Sequence, residues 1–556
     1  MKPTELVLVY DIARTRVVAP MVILLALVWF CNLDYRNLVR PDEGRYAEIA
    51  REMAVTGDWI TPRLNGIKYF EKPPLQYWMT ATAYKVFGEH EWTARLWTAL
   101  TGFAGVLIVG WAGGRIFGRQ AGLYAAAVLA SSLIYAVIGH VNTLDMGVTF
   151  WLTLGLLAFL LAQQGEMRTR QTQLCMLLAW TGFALAFLSK GLIGLALPAA
   201  TIVVYAIVER DISPWKRLYP IAGVGLMLAI VLPWTLAVSR VNPEFPHFFF
   251  VHEHFDRFLT EVHHRTAPWW YFVPILLAGM LPWTTMLGHA GLRAWRVDSG
   301  RRAFKPRRFL LLYAGVVFVF FSTSHSKLPS YILPLFPALA LLLGEWLAQV
   351  RGRTLARLIV PVAVLALAGA VVAPFIAHFG SEKVPAGLYQ VFRIWVLAGA
   401  LALLAASCLA IVLARRERIP GAIASLGCGG LLLVQIVMTG HQALSPSYST
   451  AYVANLVNPL LDSATPFYSV RTYEHTLPFY IKRTVTLVDY RDELNFGLQQ
   501  QPELQIPTMS EFESRWRNDR TALAIMSPDV YVELTQGGLP MRLLVQDARR
   551  VIVAKP

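Results

Sequence analysis

The chain is 556 residues long, and 56% of its residues are hydrophobic whereas only 15% are charged. Soluble domains contain about 45–50% apolar and about 25% charged residues, so this composition excludes an ordinary soluble protein. The formal net charge of +15 does not indicate nucleic-acid binding, because much of the Lys and Arg lies in short loops between apolar runs, where membrane topology explains it. The sequence also has no glycine-rich phosphate loop, zinc-finger spacing or internal repeat.

Long apolar runs fill the first four-fifths of the chain and predict a polytopic α-helical membrane protein. The thirteen predicted spans lie near residues 17–33, 95–116, 120–139, 144–163, 174–189, 191–208, 218–238, 271–291, 309–322, 330–349, 358–377, 388–413 and 420–439. The first run ends in WFCNLDYR without a small-residue cleavage site, so we expect an uncleaved span rather than a signal peptide. All four cysteines lie in or at the ends of apolar runs, and no disulfide framework is implied.

The basic residues predict the orientation of these spans. With the N-terminus inside, every second gap between spans should be cytoplasmic, and each of those gaps contains Lys or Arg, as the positive-inside rule requires. These residues are Arg115 and Arg119; Arg168 and Arg170; Arg210, Lys216 and Arg217; the seven Lys and Arg of 293–308; Arg351, Arg353 and Arg357; and Arg415, Arg416 and Arg418. An odd number of spans places the C-terminal region outside.

Two long loops share the outer side with the C-terminal region. The first, residues 34–94, contains PDEGRYAEIAREMAV, in which a proline and acids precede good helix formers. This pattern predicts a helix, which we expect to lie along the membrane surface. The second, residues 239–270, is rich in aromatic residues, which suit the level of the lipid headgroups. A shorter outer loop, STSHSKLPSYILP, precedes the tenth span.

The composition changes at about residue 441. Short apolar segments (ATPFYSV, TVTLVDY, TALAIMS and MRLLVQ) alternate with helical stretches, which predicts a small α/β domain. This region lacks a glycine-rich turn between strand and helix, so we expect a supporting role rather than nucleotide binding. The predicted organisation is a transmembrane catalytic domain over residues 1–440 and an outer α/β domain over residues 441–556.

Several carboxylates lie at the outer membrane edge. Asp42 and Glu43 follow a proline directly, and such acids commonly cap a helix; a cap would also hold a carboxylate still for chemistry. Asp145, at the outer start of the fourth span, allows the same two interpretations, and its depth would let it face Asp42. Glu71 and Lys72 precede two prolines, and the stiff backbone argues against an ordinary surface ion pair.

Lys and Arg on the outer side run against the positive-inside rule, so each needs a reason. A single interfacial lysine such as Lys190 or Lys327 is most simply a snorkelling side chain. Together with Arg45 and Arg257, however, these lysines favour a site for phosphate oxygens, which Arg binds as a fork and Lys as a point charge.

The sequence His252-Glu253-His254 is the one metal-like constellation, and Glu71 could reach it from the first loop. Its spacing matches no zinc signature, and the two histidines would share a face of a strand rather than of a helix. A hydrogen bond between a histidine and a carboxylate is therefore the preferred interpretation. A divalent metal held by Glu71 and His252 is the alternative.

The combination of these segments is more specific than any one of them. RPDEGRYAEIAREM followed by GDWITPRLNGIKYFEKPPLQYW, with SKG and HSKLPSYILP later in the chain, resembles the bacterial lipid A aminoarabinose transferases. These enzymes are GT-C glycosyltransferases that use polyprenyl-phosphate sugars, and they are related to protein O-mannosyltransferases. The resemblance covers the whole chain.

This resemblance implies a GT-C fold and the transfer of 4-amino-4-deoxy-L-arabinose from undecaprenyl phosphate to phosphate groups of lipid A. The reaction would take place at the periplasmic face of the bacterial inner membrane and give resistance to polymyxin-type peptides. On the resemblance we expect Asp42, Asp145 and Glu71 to be catalytic. We expect the substrate-binding residues to be Glu43, Arg45, Lys72, Lys190, Arg257, Lys327 and Tyr331. No cofactor is expected to be obligatory, and the tentative metal ligands are Glu71 and His252.

Two other functions fit parts of the pattern. The first is a glycosyltransferase with a protein or glycan hydroxyl as acceptor, in which Asp42 would be a true base; an acceptor phosphate is already ionised and would need Asp42 only for positioning or for binding the sugar amine. The second is a lipid or solute transporter. Transporters usually carry ionisable residues near the bilayer midplane and contain repeated halves, whereas these charges gather at one face, which favours the enzyme.

Overall fold

The structure is a computed structural model that describes residues 19–164, 168–256, 267–297, 304–462, 464–490 and 492–556. Helices dominate the first 440 residues, and a six-stranded sheet lies near the C-terminus. In chain order the helices up to residue 440 are α1 (Ala19–Phe30), α2 (Asp42–Thr56), α3 (Leu75–Phe87), α4 (Glu91–Phe117), α5 (Arg119–Ser131), α6 (Leu133–Ile138), α7 (Leu144–Ala162), α8 (Thr169–Lys190), α9 (Ile193–Glu209), α10 (Ser213–Lys216), α11 (Pro220–Val241), α12 (Phe272–Gly279), α13 (Leu287–Arg296), α14 (Pro306–Thr323), α15 (Phe336–Leu347), α16 (Gly352–Val372), α17 (Ala386–Arg415) and α18 (Ile419–Gly440).

By length and composition, nine helices within the described residues can cross a membrane, and the bent pair Trp269–Gly279 and Thr284–Arg296 would make a tenth. Two further predicted spans coincide with the shorter apolar helices α1 and α9. The predicted span 120–139 coincides with α5 and α6, which Ser132 separates. The prediction of a multi-pass helical membrane protein is confirmed, and the count of thirteen spans stays a prediction.

The first outer loop contains the predicted helix, α2, which begins directly after Pro41 and ends at Thr56. The next residue, Gly57, terminates the helix with a φ of 73°, in the left-handed region that glycine adopts easily. Most of α2 is buried inside the protein, which the expectation of a surface helix did not include; its direction relative to the membrane stays a prediction. The physical reason is that its polar side chains pair with other protein groups rather than with water. A two-stranded hairpin, β1 (Arg63–Leu64) and β2 (Ile67–Lys68), joins α2 to α3.

The C-terminal region folds as an α/β unit, as predicted. Its strands are β3 (Phe467–Val470), β4 (Thr486–Val488), β5 (Gln505–Ile506), β6 (Leu523–Met526), β7 (Arg542–Gln546) and β8 (Val551–Ala554), and its helices after residue 440 are α19 (Ser445–Tyr448), α20 (Ala451–Val457), α21 (Leu477–Ile481), α22 (Asn495–Gln500), α23 (Met509–Asn518) and α24 (Pro528–Gln536). The sheet order is β5-β4-β3-β6-β8-β7; the first four strands are parallel, and β8 and β7 are antiparallel to their neighbours.

The two faces of this sheet contact different partners because side chains alternate along a strand. Leu487 and Ile525 belong to a core shared with α2 and α3, whereas Val488 and Ala524 pack with α23 and α24. At the hairpin tip, the Asn65 side chain exchanges two hydrogen bonds of 2.8 Å with the backbone of Val485. The C-terminal unit is therefore docked on the first outer loop, which it holds in place.

Candidate active site on the outer face

Asp42 is the first residue of α2, and its carboxylate pairs with Arg45 (Nη1–Oδ1 2.7 Å). Among the described residues this carboxylate accepts its hydrogen bond from Arg45 rather than from a backbone amide, and it is 37% exposed, so the structure does not show the cap that the sequence favoured. Arg45 is buried, and its second nitrogen donates to Glu493 (2.5 Å), which is also paired with His475 (2.5 Å). We call Asp42, Arg45, Glu493 and His475 the first-loop cluster; Asp42 is its most accessible member.

The C-terminal unit contributes two charged residues to this cluster, Glu493 and His475. Burial favours the neutral form of Glu493, but the charges of Arg45 and His475 outweigh burial and hold the pKa of this carboxyl at about 2. Glu493 is therefore ionised at neutral pH and fixes the guanidinium of Arg45. The sequence analysis missed both residues.

Glu43 is placed differently from Asp42, although it is the next residue. Its carboxylate is 1% exposed and forms a two-pronged ion pair with Arg95 of α4 (2.7 and 2.8 Å). The same oxygens accept hydrogen bonds from the backbone amides of Val39 and Asn142, each at 3.0 Å. Burial opposes ionisation, but Arg95 holds the pKa of Glu43 at about 2. Glu43 joins α2 to α4 and to the turn before α7, and its contacts are those of a positioning residue.

Three buried tyrosines, Tyr46, Tyr69 and Tyr77, lie beside the first-loop cluster. The hydroxyls of Tyr69 and Tyr77 are buried and have no hydrogen-bond partner among the described residues. Burial raises the pKa of Tyr77, and the carboxylates of Glu71 and Asp42 raise it further. The phenols therefore remain neutral hydrogen-bond donors.

The second outer loop is tied to the first by side-chain pairs. Lys72 pairs with Glu253 (2.7 Å) and donates to the carbonyl oxygen of Glu71 (2.7 Å). Lys68 pairs with Glu244 (2.7 Å). Arg257, a predicted substrate-binding residue of the same loop, lies outside the described residues. The two loops thus form one polar wall, which the predicted topology places outside.

The metal hypothesis concerns Glu71 and His252. The ring of His252 stacks on Phe248, with the ring centroids 5.1 Å apart. Its Nδ1 is buried without a hydrogen-bond partner among the described residues, so this nitrogen is available as a metal ligand. In the part of the chain that the structure describes, no three His, Cys, Asp or Glu side chains are grouped as metal ligands. A two-residue site at Glu71 and His252 stays a prediction.

A second cluster lies where three helical segments end. Asp145, at the start of α7, pairs with Lys190 at the end of α8 and accepts a hydrogen bond from Ser330 (2.8 Å). The Lys190 ammonium lies 4.3 Å from the ring centroid of Tyr331, a cation–π contact. We call Asp145, Lys190, Ser330 and Tyr331 the span-end cluster. It brings together three of the predicted site residues and adds Ser330.

Lys327 lies in the same outer loop as Ser330. Its ammonium donates to the carbonyl oxygen of Ser324 (2.5 Å), and the residue is 7% exposed. Asp42 and Asp145 have different partners: Asp42 pairs with Arg45, and Asp145 with Lys190 and Ser330. The expectation that the two carboxylates face each other stays a prediction.

Comparison with known proteins identifies the family. Residues 15–249 match the family model of dolichyl-phosphate-mannose-protein mannosyltransferases, and residues 453–555 match that of the aminoarabinose transferase C-terminal domain. The chain is 32% identical over 482 residues to an undecaprenyl phosphate-alpha-4-amino-4-deoxy-L-arabinose arabinosyl transferase of Erwinia tasmaniensis, which covers 85% of this chain and 86% of that protein. The chain belongs to this arabinosyl transferase family.

Solved structures agree with this membership. The crystal structure of ArnT from Cupriavidus metallidurans bound to undecaprenyl phosphate superposes with a TM-score of 0.92 at 37% identity, and the match covers 97% of this chain and 98% of that one. The apo structure of the same protein gives the same TM-score and identity over 98% of each chain. An archaeal oligosaccharyltransferase from Archaeoglobus fulgidus, at 12% identity and a TM-score of 0.50, shares the fold alone. The chain is therefore a GT-C glycosyltransferase of the arabinosyl transferase family.

Proposed function

We propose that this protein transfers 4-amino-4-deoxy-L-arabinose from undecaprenyl phosphate to phosphate groups of lipid A. The observation that carries the proposal is the likeness along 97% of the chain to a transferase bound to undecaprenyl phosphate. The residues agree with such chemistry, because both substrates are anionic lipids and the outer face carries fixed cations beside carboxylates. We further propose that the two clusters have separate roles. The span-end cluster acts on the donor, and the first-loop cluster acts on the sugar and the acceptor.

On the donor side, Lys190 is the central residue. When undecaprenyl phosphate departs, negative charge develops on its leaving oxygen, and a fixed ammonium close to that oxygen stabilises the transition state. Lys190 is held by Asp145 and by the ring of Tyr331, so its position is set before the substrate binds. Lys72 and Lys327 are further cations of the outer loops, and we assign all three lysines to phosphate groups of the substrates.

On the sugar side, Asp42 is the accessible carboxylate. The anomeric carbon becomes oxocarbenium-like as the bond to the carrier breaks, and a nearby carboxylate stabilises that charge. The acceptor phosphate is already ionised, so Asp42 has no proton to remove from it and instead positions the acceptor or binds the sugar amine. The buried hydroxyls of Tyr69 and Tyr77 are further donors for the sugar. Arg45 and Glu43, which the sequence placed in substrate binding, act here chiefly by positioning α2.

We place the reaction at the periplasmic face of the bacterial inner membrane, with membrane lipids and no nucleic acid as partners, and expect it to give resistance to cationic peptides such as polymyxin. The support is the charge pattern: Lys and Arg occupy the alternate gaps that include Arg115 and Arg351, whereas the paired clusters lie at the opposite ends of the helices. In a cysteine-free background, Ile60→Cys should react with an impermeant thiol reagent added outside the cell membrane, and Arg353→Cys should not.

A hydroxyl-bearing protein or glycan is the second candidate acceptor, because residues 15–249 match the protein mannosyltransferase family model. A hydroxyl must lose a proton, and Asp42 would then have to act as a general base. The two acceptors are therefore distinguished by the product rather than by the fold.

The direct test is mass spectrometry of lipid A from cells with and without this protein. We expect an added mass of one aminopentose per modified phosphate only when the protein is present. Unmodified lipid A from cells that contain the folded protein would contradict the proposal, and the same mass found on a protein or glycan would support the second candidate.

A further inference from the structure

Three arginines converge where the first outer loop, the end of α18 and the C-terminal unit meet. Arg40 and Arg550 both pair with Glu474, at 3.1 and 3.6 Å. Arg549 donates to the carbonyl oxygen of Ser447 (3.3 Å). We call Arg40, Arg549 and Arg550 the junction arginines. Neither cluster described above contains any of them.

The charges at this junction do not cancel. Glu474 and Asp547 are the carboxylates that pair with the junction arginines, so three positive side chains meet two negative ones. Arg550 is 2% exposed and is held by Asp547 and by backbone carbonyls. Arg549 is partly exposed and pairs with no carboxylate among the described residues. Arg549 therefore supplies the surplus charge.

The environment of Arg549 is electrostatically unfavourable for a cation. Partial burial and the positive charges of Arg40 and Arg550 lower the pKa of Arg549, against the opposing effect of Glu474. An anion placed between Arg40 and Arg549 would remove this repulsion and accept their hydrogen bonds. Arg is suited to this role because its planar fork matches phosphate oxygens.

The position of the junction points to a lipid headgroup. Ser447 and Tyr448 follow the end of α18, and the amide of Arg40 donates to the carbonyl oxygen of Tyr448 (2.9 Å). The rings of Tyr448 and His441 are 5.6 Å apart, and aromatic residues of this kind settle at headgroup level. Arg40 also lies two residues before Asp42 in the chain, so an anion bound here would lie next to the first-loop cluster.

We propose that Arg549 and Arg40 form a second anion site, which binds a phosphate of the lipid acceptor other than the phosphate that receives the sugar. This inference rests on the proposed function, because it requires an acceptor with two phosphates. The span-end cluster is built from α7, α8 and the loop before α15, whereas the junction is built from the first outer loop, the segment after α18 and the C-terminal unit. The donor phosphate and the second acceptor phosphate therefore occupy different sites.

The test uses the purified full-length protein in detergent with the undecaprenyl-phosphate donor and two acceptors. The first is bisphosphorylated lipid A, and the second is the monophosphorylated form that still accepts the sugar. Arg549→Gln should raise the KM for the bisphosphorylated acceptor by about tenfold, the lower end for one charge-assisted hydrogen bond, and leave kcat and the donor KM unchanged. The KM for the monophosphorylated acceptor should be the same in parent and variant.

Two further variants control for folding and for charge. Arg549→Lys keeps the charge without the fork, and we expect it to restore part of the acceptor affinity. Arg517→Gln removes an exposed arginine of α23 in the same C-terminal unit, where it pairs with Glu513 (3.3 Å), and should leave both acceptors unaffected. Equal melting temperatures would show that all three variants are folded.

Several results would overturn the inference. An unchanged KM for the bisphosphorylated acceptor in Arg549→Gln would do so, and so would an equal rise for both acceptors, which would indicate a structural effect. Inorganic phosphate is the remaining probe: if it inhibits the parent but not Arg549→Gln while the two acceptor KM values stay unchanged, the site binds free phosphate and not lipid. Failure of the parent protein to modify either acceptor would instead contradict the proposed function itself.

Discussion

The span-end cluster and the first-loop cluster are built in opposite ways. The span-end cluster consists of residues at the ends of apolar helices, and Asp145 and Lys190 are 45 residues apart in the chain. In the first-loop cluster, Arg45 and Glu493 are 448 residues apart, so that cluster exists only when the C-terminal unit is docked on α2. If the clusters have the roles proposed above, the comparison teaches that a donor site can be built on the membrane helices alone, whereas the acceptor side depends on the contact between two regions.

The largest effect is expected at Asp42. Asp42→Asn keeps the shape of the side chain but removes its charge, so transfer should fall by at least about a hundredfold, the lower end for the loss of one group that stabilises charge in the transition state. The melting temperature should hardly change, because among the described residues the carboxylate accepts its hydrogen bond from Arg45 rather than from a backbone amide and a partly exposed ion pair contributes little to stability. Near-normal transfer by an equally stable variant would leave Asp42 without a catalytic role.

The next largest effect is expected at Lys190. Lys190→Ala removes a charged hydrogen-bond donor worth about 1.5–3 kcal/mol, so turnover should fall by roughly ten- to hundredfold. Lys190→Arg should restore only part of the turnover, since the planar guanidinium of arginine and the compact ammonium of lysine differ in geometry. Lys383→Ala, at an exposed lysine of another loop, is the matched control and should be fully active. Full activity of Lys190→Ala would remove the span-end cluster from the mechanism.

A smaller loss of activity is expected when the contact between the two regions is weakened. Glu493→Gln leaves Asp42 unchanged but removes the charge that holds Arg45, so we expect transfer to fall by about tenfold, the scale of one charged hydrogen bond. The melting temperature should also drop, because the buried guanidinium of Arg45 loses a charge partner. Transfer and thermal unfolding measured on the same sample check both. Unaltered activity would show that the C-terminal unit does not act through Arg45.

The smallest effect on activity, and a clear one on stability, is expected at Glu52 of α2. Burial and the nearby carboxylate of Glu48 raise the pKa of Glu52 from 4.5 to about 8. In the unfolded chain this group ionises above about pH 4.5, whereas in the folded protein it stays protonated up to about pH 8. Stability should therefore decrease as the pH rises between these values.

Glu52→Gln should abolish that pH dependence while keeping the hydrogen bond from the amide of Gly66 (2.7 Å). We expect the variant to melt at a higher temperature than the parent at pH 8 and at a similar temperature at pH 4.5, with normal transfer. If the melting temperatures of the two proteins changed with pH in the same way across this range, the assignment of the pH dependence to Glu52 would be contradicted.

The sequence predicted the parts of the site that depend on local patterns. Proline followed by acids marked the start of α2, and cations against the positive-inside rule marked Lys190. The partners could not be predicted, because no local spacing joins Lys190 to Asp145 or Arg45 to Glu493. The ion pair of Glu43 was not predicted either, because its partner, Arg95, lies at the edge of an apolar run and resembled an ordinary interfacial residue; its role in substrate binding stays a prediction.

The fold shows the same division between local and distant information. Hydrophobic runs correctly predicted the membrane helices, and short apolar segments predicted most strands of the C-terminal sheet. The burial of α2 was not predicted, since its composition is that of a polar surface helix. The residues that bury it lie more than 400 positions later in the chain, such as Glu493. The hydroxyls of Tyr69 and Tyr77 were missed because an aromatic residue near a membrane is usually explained by packing.

The central claim, that the span-end cluster holds the donor phosphate and the first-loop cluster does not, is tested most directly by measuring the affinity of undecaprenyl phosphate. Calorimetric titration of the parent protein, Lys190→Ala and Asp42→Asn in the same detergent gives three dissociation constants. We predict that Lys190→Ala weakens binding by at least about tenfold, as expected for the loss of one charged hydrogen bond, and that Asp42→Asn binds as the parent does. If Lys190→Ala bound undecaprenyl phosphate as tightly as the parent while Asp42→Asn bound it more weakly, the proposed roles of the two clusters would be contradicted.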